Sequence, residues 1–295
     1  MQTARPRPWV PLRPPASGRH LRRSLTWIAL GLVTLACQRD VSPQTSLALE
    51  PSAAEVIEPP VLVAVLSPNL VLPEVRAEEP ASCPDGMALV EGDYCPDVRH
   101  NCTKYMDPPG RYEYFRCAEY AQPAQCLKPK RRLRFCMDKY EYREPGESLP
   151  ANNRSWTHAS QTCGSLGKRV CLESEYNFAC EGEEMRPYPY GWKRDATACN
   201  ADHYDVVGAD GKLRDMRAPP GAYPRCESPF GVFDLSGNLE EFVTIDGSIP
   251  SRPAMKGAYW QPSRNHCRAA QTAHDRYYNG TETGFRCCSD APDAP

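Results

Sequence analysis

Fourteen cysteines crowd the stretch from Cys83 to Cys288, and with Cys37 they bring the total to fifteen in 295 residues. That density constrains the fold more than any hydrophobic pattern, because each pair of thiols either closes a loop or holds a metal. Fourteen thiols can close seven disulfides in an oxidising compartment, where such bridges stand in for buried apolar area. Zinc is the rival use. It calls for close pairs such as CxxC; none occurs, and the six histidines do not fall at ligand spacing with the cysteines. A cross-linked, exported chain is the expectation, and a 41% hydrophobic content suits a globular protein of one generous domain or two small ones.

The amino-terminal residues agree with export. Residues 1–24 carry six arginines and no acid, and the apolar run "LTWIALGLVTLA" (25–36) ends in small residues at Cys37. This run is shorter than the roughly 20 residues that span a bilayer. "VTLAC" resembles a bacterial lipoprotein signal, with Thr34 where leucine is usual. The resemblance implies a lipid on Cys37 and attachment to the membrane of the cell envelope; an ordinary cleaved signal and an uncleaved anchor are the alternatives. With those arginines removed, 29 Lys and Arg face 37 acids. An acidic balance argues against nucleic acid as a partner.

From Gln38 to Ser82 the chain has seven prolines and no glycine, cysteine or aromatic residue, and it reads as an extended tether. Residues 83–135 form a cysteine-rich extension. Within it "MALVEGDYC" alternates as a strand does, and the basic run "KPKRRLRF" (128–135) reads as a solvated loop or strand edge. From Cys136, "FCMDKYEY" reads as a strand. Two helices are expected over 155–167, with hydroxyl residues at the start and Gly167 at the end, and over 173–182, with acids in the first turn and Gly182 as the stop. A polar loop to about Gly221 and short strands near 254–260 and 284–288 complete an irregular α+β domain over 136–290.

Five segments, "GKRVCLESEYNFACEG", "YPYGW", "FGVFDLSGNLEEF", "MKGAYW" and "GFRCC", occur in an order and spacing that resemble the formylglycine-generating enzyme, or sulfatase-modifying factor, family. The resemblance implies a C-type-lectin-like fold with two helices and short antiparallel strands. It also implies a calcium ion wrapped by residues 234–241, with side-chain oxygens from Asp234 and Glu241 and backbone carbonyls from Gly237 and Leu239. Calcium takes six to eight oxygens at roughly 2.3–2.6 Å, so such a turn supplies a half shell. In this arrangement Glu240 is expected to face outward; the other reading of "DLSGNLEE" is a solvated acidic turn. A second calcium position is implied at Asn200 and the Ala201 carbonyl, although its carboxylate position falls on Arg214. The resemblance further implies a disulfide between Cys163 and Cys287.

Catalysis in the family rests on two cysteines, five apart, that bind copper and oxidise a substrate cysteine with oxygen; soft thiolates suit Cu(I). The matching positions in "GAYWQPSRNHC" are Gln261 and His266, with Ala258 at the nearby serine position. Cys267 lies one residue beyond and reads as half of a disulfide. Copper is therefore not expected. Three functions remain: a non-catalytic, calcium-stabilised domain that binds a peptide, a glycan or an envelope protein; an oxidase with a different metal arrangement; and a purely structural block.

Overall fold

The alternation in "MALVEGDY" turns Ala88, Val90 and Tyr94 inward and Leu89 and Asp93 to solvent, the period-two pattern of a sheet with one buried face. The computed structural model describes residues 82–293. The signal segment, Cys37 and almost all of the tether lie outside the described residues. In chain order the elements are β1 (Met87–Tyr94), β2 (Val98–Arg99), β3 (Cys102–Tyr105), β4 (Cys117–Tyr120), β5 (Gln125–Cys126) and β6 (Arg131–Asp138). They are followed by α1 (Trp156–Ser165), β7 (Arg169–Val170), α2 (Glu173–Glu181) and β8 (Glu240–Thr244). The chain ends with β9 (Pro253–Lys256), β10 (Ala270–Gln271), β11 (Thr283–Gly284) and β12 (Cys287–Asp290).

One sheet has the order β1-β6-β12-β7 and the other β10-β9-β8-β11; β2–β5 and β3–β4 are separate two-stranded ribbons. Because β1 pairs with β6 along its whole length, the cysteine-rich extension contributes a strand to the first sheet. The basic run supplies the first half of β6, with Arg132 and Arg134 held by Glu91 across the ladder. The strand pairs are antiparallel as expected, apart from β11, which runs parallel to β8. That pairing carries Glu282 to the start of β8.

Both helices form where capping chemistry predicts. Ser155 accepts a hydrogen bond from the His158 amide at the start of α1, worth about 1 kcal/mol. Glu175 accepts from the Leu172 amide at the start of α2, and Gly182 ends that helix with φ at 65°. No helix among the described residues is long and apolar enough to cross a membrane. α2 packs Tyr176, Phe178 and Ala179 against Val90, Phe135 and Met137 of the first sheet. α1 packs Trp156 and Ala159 against Phe242 and Met255 of the second sheet, with Phe285 between.

Seven disulfides use all fourteen cysteines of the described residues. Cys163 of α1 bonds Cys287, and Cys171 bonds the adjacent Cys288, at separations of 124 and 117 residues. Loops of that length lose about 4–5 kcal/mol of unfolded-state entropy in the chain-entropy model. The carboxy-terminal strand is thereby stapled to both helical segments, which fixes the residues beside it.

Candidate metal centre and the cleft beside it

The turn Asp234–Leu239 owes its shape to three left-handed residues, Asp234 (φ 60°), Gly237 (φ 85°) and Asn238 (φ 57°). Asp and Asn tolerate this region better than other non-glycine residues. Gly237 is required on a second count, since a Cβ there would collide with the Asn200 carbonyl. The turn is not solvated: Asp234, Gly237, Asn238, Leu239 and Glu241 are all buried.

Its charges are only partly balanced. The Arg286 guanidinium meets Glu241 through Nε and Nη2, both at 2.7 Å, and gives its remaining bonds to the carbonyls of Phe233, Asp138 and Lys139. Tyr176 adds its hydroxyl to Glu241 at 3.3 Å. A third carboxylate, Glu141, accepts from the Leu239 amide at 2.9 Å and from Asn238 Nδ2. The Asp234 carboxylate receives no hydrogen bond among the described residues, and burial with the nearby Glu241 pushes its pKa up to about 6 against the opposing pull of Arg286. Burial also raises Glu241, and it raises Glu141 well above the usual range with help from Glu241 and Asp234.

Three buried carboxylates thus face one guanidinium, leaving a formal excess of two negative charges. The carbonyl oxygens of Gly237 and Leu239 accept no hydrogen bond among the described residues. Two carboxylates and two idle carbonyls in one turn are the kind of oxygen donors that a hard divalent cation favours, although both oxygens of Glu241 are held by Arg286. Glu141 stands apart. It does not join Asp234 and Glu241 in a set of three donors within 4.8 Å, and the one such set among the described residues is Cys171, Glu175 and Cys288. That set is no ligand shell, because its cysteines are bonded to each other and Glu175 is held by Arg169. Glu141 orients the turn through the Leu239 amide.

The second cation position does not fit this chain. Asn200 spends its amide on Met216, Asn238 and His203, and its carbonyl on the Asn238 amide. Ala201 is buried beside Gly237. Arg214 pairs with Asp205, and the neighbouring Asp215 pairs with Arg217.

The family's catalytic positions diverge. Gln261 lines a cleft of about 280 Å³ with Glu240, Tyr259, Tyr278 and Glu282, whereas His266 is absent from its walls. His266 packs toward Tyr120, its Nδ1 is enclosed without a partner, and burial with nearby His100 depresses its pKa to about 3. Cys267 is bonded to Cys180. Neither a thiol pair nor a single free thiol is present among the described residues, so the donor set does not fit Cu(I). Glu240 corrects the outward-facing expectation: it is half-buried in the cleft, and burial beside Glu282 raises its pKa to about 7. Sequence reasoning missed Glu141 and Arg286 in the turn. Only Arg286 left a trace, as a charged residue between Phe285 and Cys287 in an apolar strand.

Residues 110–291 match the family model described as the sulfatase-modifying factor enzyme 1-like domain. The chain is 28% identical over 155 residues to the mouse protein named inactive C-alpha-formylglycine-generating enzyme 2, covering 48% of this chain and 50% of that one. It is 25% identical over 171 residues to mouse formylglycine-generating enzyme, covering 48% and 44%. The chain spans about half the length of the curated relatives it matches. Among solved structures, PvdO from Pseudomonas aeruginosa aligns with a TM-score of 0.46 and 16% identity over 72% of this chain and all of that one. The family match covers well over half of the chain, and the protein belongs to the sulfatase-modifying factor enzyme 1-like family.

Proposed function

We propose that the chain is a non-catalytic member of this family, a calcium-stabilised and disulfide-stapled binding domain that works in an oxidising compartment outside the cytoplasm. The Cys180–Cys267 disulfide carries the reading. It consumes the cysteine nearest the catalytic positions while Gln261 and His266 occupy those positions, and copper-dependent oxidation of a substrate cysteine needs thiolates there. Seven disulfides support the compartment. Calcium is supported by the unbalanced carboxylates and idle carbonyls of the 234–241 turn, with Asp234, Gly237, Leu239 and Glu241 holding the ion and Glu141 and Arg286 fixing the turn around it.

The rival is an oxidase that works with a different donor set. Anaerobic loading with Cu(I), desalting and metal analysis, followed by an oxygen-consumption assay with a cysteine-containing peptide, separates the two. The expected result is no stoichiometric copper and no oxygen uptake above the peptide blank. Bound copper with peptide-dependent turnover would overturn the reading.

A further inference from the structure

Among the described residues Lys256 is the one buried lysine: it is 1% exposed, and its Nζ has no hydrogen-bond partner. The carboxylate that approaches it is Glu173, at 3.6 Å, too long for a hydrogen bond. Glu173, Asn177 and Glu181 follow one another at intervals of four along α2, so they form one row on the surface of that helix. Lys256 is within electrostatic reach of Glu181 as well as Glu173, which sets its amine over the row and not beyond its end. The middle member of the row is Asn177.

Asn177 is a second orphan. It is 6% exposed, and its Oδ1 is enclosed without a donor. Burying an amine and an amide oxygen without partners costs free energy on both counts, and a native structure that keeps two such groups on facing elements calls for a reason. A hydrogen bond from Nζ to Oδ1 would satisfy both, and it is not made. Glu181 is already engaged, since Arg268 holds both of its oxygens. Glu173 is the available carboxylate: it keeps part of its side chain in solvent and accepts no hydrogen bond from a side chain other than Lys256. Glu173 and Asn177 also line a cavity of about 380 Å³ with Ser174 and Arg268, which gives a small leaving group somewhere to go.

We propose that Lys256 and Asn177 become joined by an isopeptide bond that forms within the folded chain, with Glu173 as the proton acceptor. The Nζ ammonium yields a proton to the Glu173 carboxylate, and the neutral amine attacks Asn177 Cγ. The Nζ–Cγ bond forms, the Cγ–Nδ2 bond breaks, and one Nζ proton passes to the departing nitrogen, which leaves as ammonia. No electron is gained or lost, so no oxidant or co-reactant is needed. Holding the amine and the amide side by side makes the step intramolecular, and the product replaces a buried amine by a neutral amide. The bond ties β9 of the second sheet to α2 against the first, and unlike the seven disulfides it survives reduction. This inference does not depend on the binding reading and stands whether or not copper turns over.

Peptide mapping of the full chain after complete reduction and alkylation tests it. The expected result is one species in which the Asn177 and Lys256 peptides are joined, lighter than their sum by one ammonia, with no tryptic cleavage after Lys256. Lys256→Arg and Asn177→Ala should each abolish that species. Glu173→Gln should leave most of the chain unlinked when the wild type is complete, because loss of a general base slows proton transfer about 100-fold. The wild-type digest decides the matter even if a variant fails to fold. Separate, unmodified Asn177 and Lys256 peptides from the wild type would overturn the proposal, as would a linked species that persists in Lys256→Arg. Linkage in Glu173→Gln at the wild-type rate would overturn the role given to Glu173.

Discussion

Replacing Arg286 by alanine is expected to remove about 3–5 kcal/mol of folding stability, the cost of leaving a buried carboxylate without its partner. Arg286 and Glu241 are each about 1% exposed and share two 2.7 Å bonds. The same guanidinium satisfies the carbonyls of Asp138, Lys139 and Phe233, so its loss also strands backbone acceptors where β6, the turn and β12 meet. Denaturant unfolding measures the loss. Arg286→Met combined with Glu241→Met should recover part of it, because an apolar pair carries no uncompensated charge. A single-variant cost below about 1 kcal/mol, the scale of a surface pair, would contradict the described geometry.

The second large effect is that of calcium. A ligand that binds only the folded chain adds about 2.7 kcal/mol at 100 times its dissociation constant, which for a domain of this size raises the melting temperature by about 5–10 °C. The gain should depend on pH. The folded pKa of Asp234 is raised from 3.8 to about 6, so the folded chain without a cation holds more protons than the unfolded chain across that window. The Asp234 contribution to stability is greatest below pH 4 and is lost as pH rises through about 6, a change of roughly 3 kcal/mol. The raised pKa values of Glu141 and Glu241 act in the same direction. A bound calcium ion cancels that penalty, so the melting curves in chelator and in calcium should separate from pH 4 upward and differ most near neutrality. Asp234→Ala should close the gap. Curves that coincide at every pH for the wild type would return 234–241 to the status of an acidic turn with no ion.

How much of this was legible in the sequence depended on distance along the chain. The helices were readable because their signals are local: Ser155 and Gly182 sit at the ends they terminate. The even cysteine count anticipated complete pairing because oxidised thiols must find partners somewhere, whatever the topology. In the turn, Asp234 and Glu241 were visible within one motif. The groups that set their charge state were not: Arg286 reaches Glu241 from 45 residues away and Glu141 reaches Leu239 from 98. Glu240 was misjudged for a related reason. Alternation along β8 says only that it leaves the side of Glu241; the parallel docking of β11, through the Glu240 amide on the Glu282 carbonyl at 2.8 Å, is what builds a cleft around it. The strand in the basic run 131–134 was obscured by its charges, which Glu91 of β1 neutralises across the ladder.

The claim that this family member does not carry out copper-dependent oxidation stands on the state of Cys267. Differential alkylation tests it most directly: the native protein is denatured without reductant, labelled with one alkylating reagent, reduced, labelled with a second and mapped by mass spectrometry. The account predicts that Cys267 takes only the second label and that non-reduced digests contain its peptide joined to that of Cys180. First-label modification of Cys267, with Cys180 free or bridged elsewhere, would show a thiol available beside the catalytic positions and contradict the account.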